Sequence, residues 1–545
     1  MTEPARADGV TRRALLSQVA AIAATAAGVG FLIEACAPAA PSSRPNAPTA
    51  RTAPVTAAGA NPTPVGQPVL GGSLRTTLSA EPSSLDPHRP ISTFEFSLRG
   101  AFFNALIEET PSLELGPALA ESWDAHDAKT YTFHLRKGVK FHDGTEVTAD
   151  VVQASLQRAA DPATSPAAAI KAYAERIATM SAPDPYTLNV ELKEPSSVFL
   201  SDLSEIMIVP KDFDPAKPVG TGPFTFVEWV RNQHIRAKKF SGYFKASLPY
   251  LDEVVYQTVT DDDQRVNRLR TGQIDFADTL PLQLVKALDS EGKFSLFTPE
   301  PGQRTAAYIM RANCSGPPLN NPKVRQALSY AVDRQAILDV NFGYGAIRSN
   351  FVPPRHWAYN PNARRYDQRD LAQAKQLLAE AGVPNGFGVE LTHHTVGEVY
   401  KSIAQVIQAN AADVGIQVSL TALELGVWVD KVLQKRDFQL ALSGNSVRSD
   451  PDTIFSDMYD QTRVNGSAIQ WSNDEAQQLL AQGRTTLDRA DRAKIYGRLQ
   501  EIIQNEVPIV VLDEIPVFAG GAPRVQSFRP DLRGLTYFEQ VWLKA

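Results

Sequence analysis

The chain has 545 residues, 43% hydrophobic and 21% charged, which is enough for about two or three domains with substantial cores. Its formal net charge is −6 at pH 7, and the first 70 residues contribute no net negative charge, so the acidity lies beyond residue 70. A mildly acidic body argues against a nucleic-acid partner, because phosphate binding needs a basic surface.

The N-terminus differs in composition from the rest. "TRRALLSQVAAIAATAAGVGFLIEAC" carries Arg12-Arg13, then an uncharged run from Ala14 to Ile33, then small residues before Cys36. That order reads as an export signal over residues 1–35. A permanent membrane-spanning helix competes with it, since about 20 residues can cross a bilayer. The run is dominated by Ala and Gly rather than Leu and Ile, however, and is only weakly apolar. Ile33 and Ala35 suit a lipoprotein cleavage box ending in Cys36, whereas Glu34 stands where such boxes avoid charge. Cys36 and Cys314 are the only cysteines, so no disulfide framework is expected; Cys36 reads as a lipid attachment site and Cys314 as an inert buried thiol. Residues 36–70 form an expected disordered tether: positions 37–68 hold eight Pro and nine Ala among Ser and Thr, too little apolar side chain to fold. At about 3 Å per residue such a tether reaches roughly 100 Å from a membrane.

Beyond Gly71 helix-like and strand-like segments mix without an internal repeat. "TYTFHLRKGVKF" alternates Tyr131, Phe133 and Leu135 with Thr132, His134 and Arg136, the period-two pattern of a half-buried strand. "HDGT" comes next, where Asp143-Gly144 suits a tight turn and Thr148 can accept the first N–H groups of a helix beginning "ADVVQASLQRA". His142 and Asp143 therefore read as turn residues; no further ligands at metal-binding spacing stand near them. "GTGPF" at 220–224 is glycine-rich but lacks the lysine and hydroxyl of a phosphate loop, and reads as a crossing between lobes. "NPKVRQALSYAVDRQAI" predicts one amphipathic helix, with Asn321 as cap, Pro322 at the first position, and Val324, Ala327, Leu328, Ala331 and Val332 on one face. Gly382 and Gly415 stand where left-handed C-terminal caps belong, after "DLAQAKQLLAEA" and "YKSIAQVIQANAADV". His393 and His394 are neighbours on a strand and face opposite ways, so the pair does not readily chelate one ion. With "IQVSLTAL" and "FQLALSG" as strands, helix and strand alternate in the α/β pattern.

"LAESWDAHDAKTYTFHLRKGVKFHDGTEVTADVV" resembles the signature of the family 5 solute-binding proteins of ABC importers, the dipeptide, oligopeptide and nickel receptors. "EPSSLDP" at 81–87, "VGTGPFTFVEW" at 219–229, "NPKVRQALSYAVDRQAI" at 321–337, "AKQLLAEAG" at 374–382 and "SDPDTIF" at 449–455 stand in that family's order. The resemblance implies an α/β, two-lobed periplasmic-binding-protein architecture (type II, cluster C) with an extra small domain. By position, domain I comprises 71–103, 220–296 and 511–545, domain II 104–219, and domain III 297–510. Solute is expected between the lobes, with closure recognised by the permease of an importer; ligand shifts the population through contacts that only the closed state offers. The expected partners are a small peptide-like or polyhydroxylated solute, the transmembrane permease subunits, and a membrane reached through the lipid anchor. The chain is expected to be an exported monomer, periplasmic or held at the outer face of the cell membrane.

A secreted hydrolase is the first rival reading, but no G-x-S-x-G, H-E-x-x-H or Walker motif is present. A surface sensor without transport is the second. Fold leaves the ligand class open among peptides, oligosaccharides, opines and nickel chelates. With eight His and five Met, mostly in helix, turn or signature contexts, a metal ligand is not expected, and no cofactor or catalytic residue is assigned. The candidate ligand-binding residues are Glu81, Ser83 and Ser84 after the first strand, Trp428 in "LELGVWVDKVL", and Asn445, Ser446, Arg448 and Asp450 after "FQLAL". Trp428 reads equally as a core aromatic, Asp450 as a helix cap, and Asn445 as a turn residue. In the peptide-binding members an aspartate shortly before the "DP" element meets the peptide's α-ammonium. "SGNSVRS" at 443–449 has no acid, and Val447 stands near that place. Arg448 adds a positive fork suited to a carboxylate or sugar hydroxyls. The expected ligand is thus an N-blocked or modified peptide-like acid or a polyhydroxylated compound, unless Asp450 takes the ammonium.

Overall fold

The computed structural model describes residues 67–89, 93–164, 168–304, 306–446 and 450–544. The expected export signal, Cys36, nearly all of the tether, and Arg448 lie outside the described residues. So does the side chain of Ser446. Among the described residues no helix is long and apolar enough to cross a membrane.

Three larger sheets organise the body. The first orders Ser73–Leu78, Glu253–Thr258, His234–Lys239 and Phe224–Val230, its first pair parallel and the rest antiparallel. Its core draws Leu74 and Phe102 from one end of the chain, Phe224, Val254 and Phe276 from the middle, and Phe528, Phe538 and Leu543 from the other end. The second sheet is antiparallel, ordered Ala120–Ala125, Thr130–Leu135, Thr187–Leu192 and Ile177–Asp184. Along Thr130–Leu135 every second residue, Tyr131, Phe133 and Leu135, is buried against the helix Ala149–Ala160 and its neighbours, while His134 stays half-exposed and bonds Asp124 at 3.0 Å. The third sheet has five strands, ordered Gln417–Leu423, Gly388–His394, Leu440–Ser446, Ala306–Ala312 and Ile509–Glu514; it carries apolar clusters on both faces. Burial on both faces explains why Ala306–Ala312 is buried at every position. The segment boundary drawn at 510/511 runs through the last of these strands, and the one at 296/297 runs through Ser295–Phe297.

Local chemistry agrees with the sequence in most places. Asn321 accepts the Lys323 N–H at 3.0 Å with Pro322 in the first turn. Gly382 and Gly415 are left-handed (φ +81 and +88). The residue after each glycine donates back into the helix, Val383 to Leu378 and Ile416 to Ala411, which makes both ends Schellman motifs. Two expectations need correction. The run after Asn321 is two helices, Pro322–Ala331 and Arg334–Val340, because Val332 is extended and Asp333 caps Ala336 at 3.1 Å. Thr148 occupies the cap position of the helix Ala149–Ala160, but its hydroxyl donates to Asp150 and makes no cap bond.

The "HDGT" stretch is a turn, with Gly144 at φ +88 and Asp143 Oδ1 accepting from Thr145 N at 2.9 Å. The His142 ring is clamped on the glycine-rich crossing: it meets the Gly222 carbonyl at 3.0 Å through Nε2 and accepts the Gly220 N–H at 3.2 Å through Nδ1. Burial pushes this imidazole down to about 4, so it stays neutral and serves as a strut. The glycines themselves meet main chain. A Cβ on Gly222 would lie 2.4 Å from the Phe102 carbonyl carbon and 2.6 Å from the Phe103 nitrogen, neither of which can swing aside. We expect Gly222→Ala to destabilise by about 3 kcal/mol or more. A guanidinium chloride midpoint equal to wild type would contradict that close approach.

Candidate solute-binding site

The candidate residues fall into two groups on different sheets. Glu81 comes after the first strand and is held on both oxygens, by Trp229 Nε1 at 3.0 Å and the Thr258 hydroxyl at 2.9 Å. Arg231 stacks on the Trp229 ring at 3.5 Å and donates to the Pro82 carbonyl. Ser83 donates from N–H and hydroxyl to Glu95 Oε1, at 2.8 and 2.7 Å, and Ser84 accepts from the Asp86 N–H at 3.0 Å. Ser83 and Ser84 line an open cavity of about 840 Å³ together with His142, Lys217, Trp229 and Arg231.

The second group surrounds the C-terminal ends of the parallel strands in the five-stranded sheet, where open α/β sheets usually place ligands. Trp428 is buried on Val432, Phe438 and Ala441, with the His394 ring edge-on at 5.9 Å. Directly after it, Val429–Gln434 widens into a π-helical turn, a form frequent at functional sites. Asn445 donates to Met458 Sδ at 3.0 Å, and Ser446 ends the strand opposite Ala306. Asp450 belongs elsewhere: it caps the helix Pro451–Tyr459 through the Asp452 N–H and takes both terminal nitrogens of buried Arg492 at 2.6 Å each. That double engagement leaves its carboxylate committed to the scaffold rather than to an ammonium.

Two groups that sequence reasoning missed stand beside these. Arg311 lies buried on the face shared with Ser443 and Trp428, its guanidinium carbon 5.9 Å from the Trp428 ring. Its one signal in the sequence was a charged residue inside the apolar run "AAYIMRA". Asp513 and Glu514 end the strand that leaves the five-stranded sheet for the Ala519–Gly521 strand of a separate three-stranded sheet. Glu514 accepts the Gly302 N–H at 2.6 Å, so it ties together two chain segments that pass between sheets. Burial pushes Asp513 up to about 8 and Glu514 up to about 7. Farther off, Ser197 donates its N–H to the Arg484 carbonyl at 2.7 Å and its hydroxyl to that of Gly483 at 2.8 Å, and Arg489 approaches Glu114 at 3.3 Å. These contacts join the second sheet's cluster to the helices that flank the third. Among the described residues no group of three or more His, Cys, Asp or Glu side chains is arranged to hold a metal.

A family model described as "Bacterial extracellular solute-binding proteins, family 5 Middle" matches residues 114–466. The chain belongs to this family. This family 5 protein is 31% identical over 471 residues to the glutathione-binding protein GsiB of Escherichia coli (strain K12), which covers 79% of this chain and 86% of GsiB. Its fold is similar to AgaA of A. tumefaciens R10 in complex with agropinic acid, with a TM-score of 0.72, 30% identity, and 87% and 99% of the two chains covered. It is likewise similar to the ABC transporter-associated periplasmic binding protein DppA of Helicobacter pylori in complex with the peptide STSA, at TM-score 0.72 and 28% identity, with 88% and 99% covered. The architecture is thus the two-lobed α/β fold of periplasmic binding proteins. This family 5 chain is a solute-binding receptor of the ABC type and not an enzyme.

Proposed function

We propose that the chain is the solute-capturing lipoprotein of an ABC importer: Cys36 carries the lipid, residues 36–70 tether the body, and a peptide or peptide-like acid is enclosed between the lobes and handed to the permease. The observation that carries this reading is similarity over most of the chain to receptors described with small acids or peptides as ligands, glutathione, agropinic acid and STSA. Both glutathione and agropinic acid bear carboxylates, and the stretch 443–449 offers Arg448 and no acid. Asp450, held by Arg492, is a poor substitute for an ammonium-binding aspartate. Domain I is proposed to comprise 71–103, 220–297 and 515–545, domain II 104–219 and domain III 298–514, with both boundaries moved out of strands, and the receptor is proposed to act as a monomer. An opine is the second reading, favoured by the similarity to AgaA.

Native mass spectrometry on the exported protein tests the assignment. The expected result is a lipid-modified N-terminal Cys36 and a co-purifying small acid released on denaturation. An unmodified N-terminus downstream of Cys36 would remove the anchor from the proposal. A released solute without an acidic group would remove the peptide-like acid.

A further inference from the structure

Arg311 differs from Arg334 and Arg492 in how its charge is met. Arg334, equally buried, donates from all three guanidinium nitrogens to the carbonyls of Arg348, Val511, Ser329 and Tyr366 and to the Ser329 hydroxyl. Arg492 holds Asp450 in a two-pronged pair. Among the described residues Arg311 has only the Ser443 hydroxyl close by; its other bonds are long, to Met458 Sδ at 3.7 Å and Asn465 Oδ1 at 3.5 Å, and its Nε has no partner. Among the described residues no carboxylate lies within ion-pair distance of it; Asp457 acts on its charge from farther away and is itself bonded by Asn465 Nδ2 at 3.0 and 3.1 Å. A buried charge so poorly met is costly and calls for an acceptor. Burial also lowers its affinity for its proton, to about 10.

The neighbouring unpaired groups are of the same kind. Among the described residues, Trp428 Nε1, a donor only, and the Tyr459 hydroxyl are both buried without hydrogen-bond partners; the Trp428 ring lies 5.9 Å from the Arg311 guanidinium carbon, and Tyr459 lies near enough to feel its charge. Three polar groups that lack partners in one neighbourhood, two of them obligate donors, describe a receptor for oxygen lone pairs. The Trp428 ring stands on a four-residue helix whose Leu425 and Val427 are exposed, succeeded at once by the π-helical turn.

We propose that Arg311 and the Trp428 indole N–H form the carboxylate-recognition point of the solute site, which rests on the receptor function proposed above. The solute's carboxylate replaces the missing acceptors, taking a forked pair from the guanidinium and a third bond from the indole, and reaches them by displacing the Trp428 ring toward its exposed neighbours.

Calorimetry on the purified protein tests it with glutathione and agropinic acid, each against its carboxamide, and with an uncharged trisaccharide and a tetrapeptide as controls. The expected result is that an acid binds at least about tenfold tighter than its amide, and that Arg311→Met lowers acid affinity by about thirtyfold or more while leaving amide affinity within about threefold. Because Met removes an unmet buried charge, its melting temperature is expected to hold or rise. Should the variant fail to fold, the wild-type indole N–H resonance of Trp428, assigned by its loss in Trp428→Phe, decides: it moves with the acid and not with the amide. Equal binding of acid and amide, preference retained in Arg311→Met, an unmoved indole resonance in the acid-bound protein, or saturable binding of the uncharged trisaccharide alone would overturn the assignment and leave the receptor function standing. Absence of saturable binding to every probe would count against both.

Discussion

Asp450→Asn is expected to destabilise the protein by about 3–5 kcal/mol, because it takes the counter-charge from the Arg492 guanidinium in a buried site where, among the described residues, its other hydrogen bonds go only to the Gly483 carbonyl at 3.2 Å and the Tyr496 hydroxyl at 3.3 Å. Side-chain exposure of 7% and 11% for the two partners means that water cannot compensate. The pair raises the Arg492 pKa despite burial, as a guanidinium fixed on a carboxylate should behave. Thermal unfolding checks this, and the double variant Asp450→Ala/Arg492→Met should recover a good part of the loss. Solute affinity measured below the transition should stay within a few-fold of wild type. A normal melting temperature with abolished binding would instead make Asp450 a ligand group.

The second large effect concerns pH. Asp513 and Glu514 are adjacent, almost fully buried carboxyls without an ion pair within 4 Å among the described residues, and desolvation favours their neutral forms, with Arg348, Arg304 and Arg334 opposing it. Their folded values, about 8 and about 7, stand above the ordinary value near 4 of the unfolded chain. The stability they confer is therefore complete below about pH 4 and is lost as pH rises through 7 and then 8. Stability is expected to fall by about 4 kcal/mol between pH 6 and 9 from this source. Asp513→Asn, which keeps the shape and cannot ionise, should flatten that slope in chemical denaturation series. A slope unchanged in the variant would show that Asp513 is already ionised at pH 6.

Features governed by a few consecutive residues were legible in the sequence. The alternation Tyr131, Phe133, Leu135, the Asn321-Pro322 helix start and the two glycine caps each depend on backbone and side-chain chemistry within a turn or two. The motif series likewise led to the family and its fold. Errors arose where a distant residue decides the outcome. Asp450 read as a helix cap or a ligand group, and it does cap its helix, but nothing local announces Arg492, 42 positions later, which takes both its oxygens. Asp333, whose N–H bonds Asn410 at 2.8 Å, breaks what periodicity presents as one helix. Arg311 was hidden because a strand buried on both faces gives no alternation to mark a charged position as odd. The site itself depends on side chains from separate strands, which sequence spacing does not bring together.

Solute binding by the purified receptor is the most direct measurement. Isothermal titration with a panel of di- to pentapeptides in free and N-acetylated forms, glutathione, opines, oligosaccharides and nickel chelates is expected to give one-to-one saturable binding by a peptide-like acid, near micromolar, or about −8 kcal/mol. Mass spectrometry of the recovered solute should find it chemically unchanged. No saturable binding across the panel, or a solute converted to product during the titration, would contradict the account.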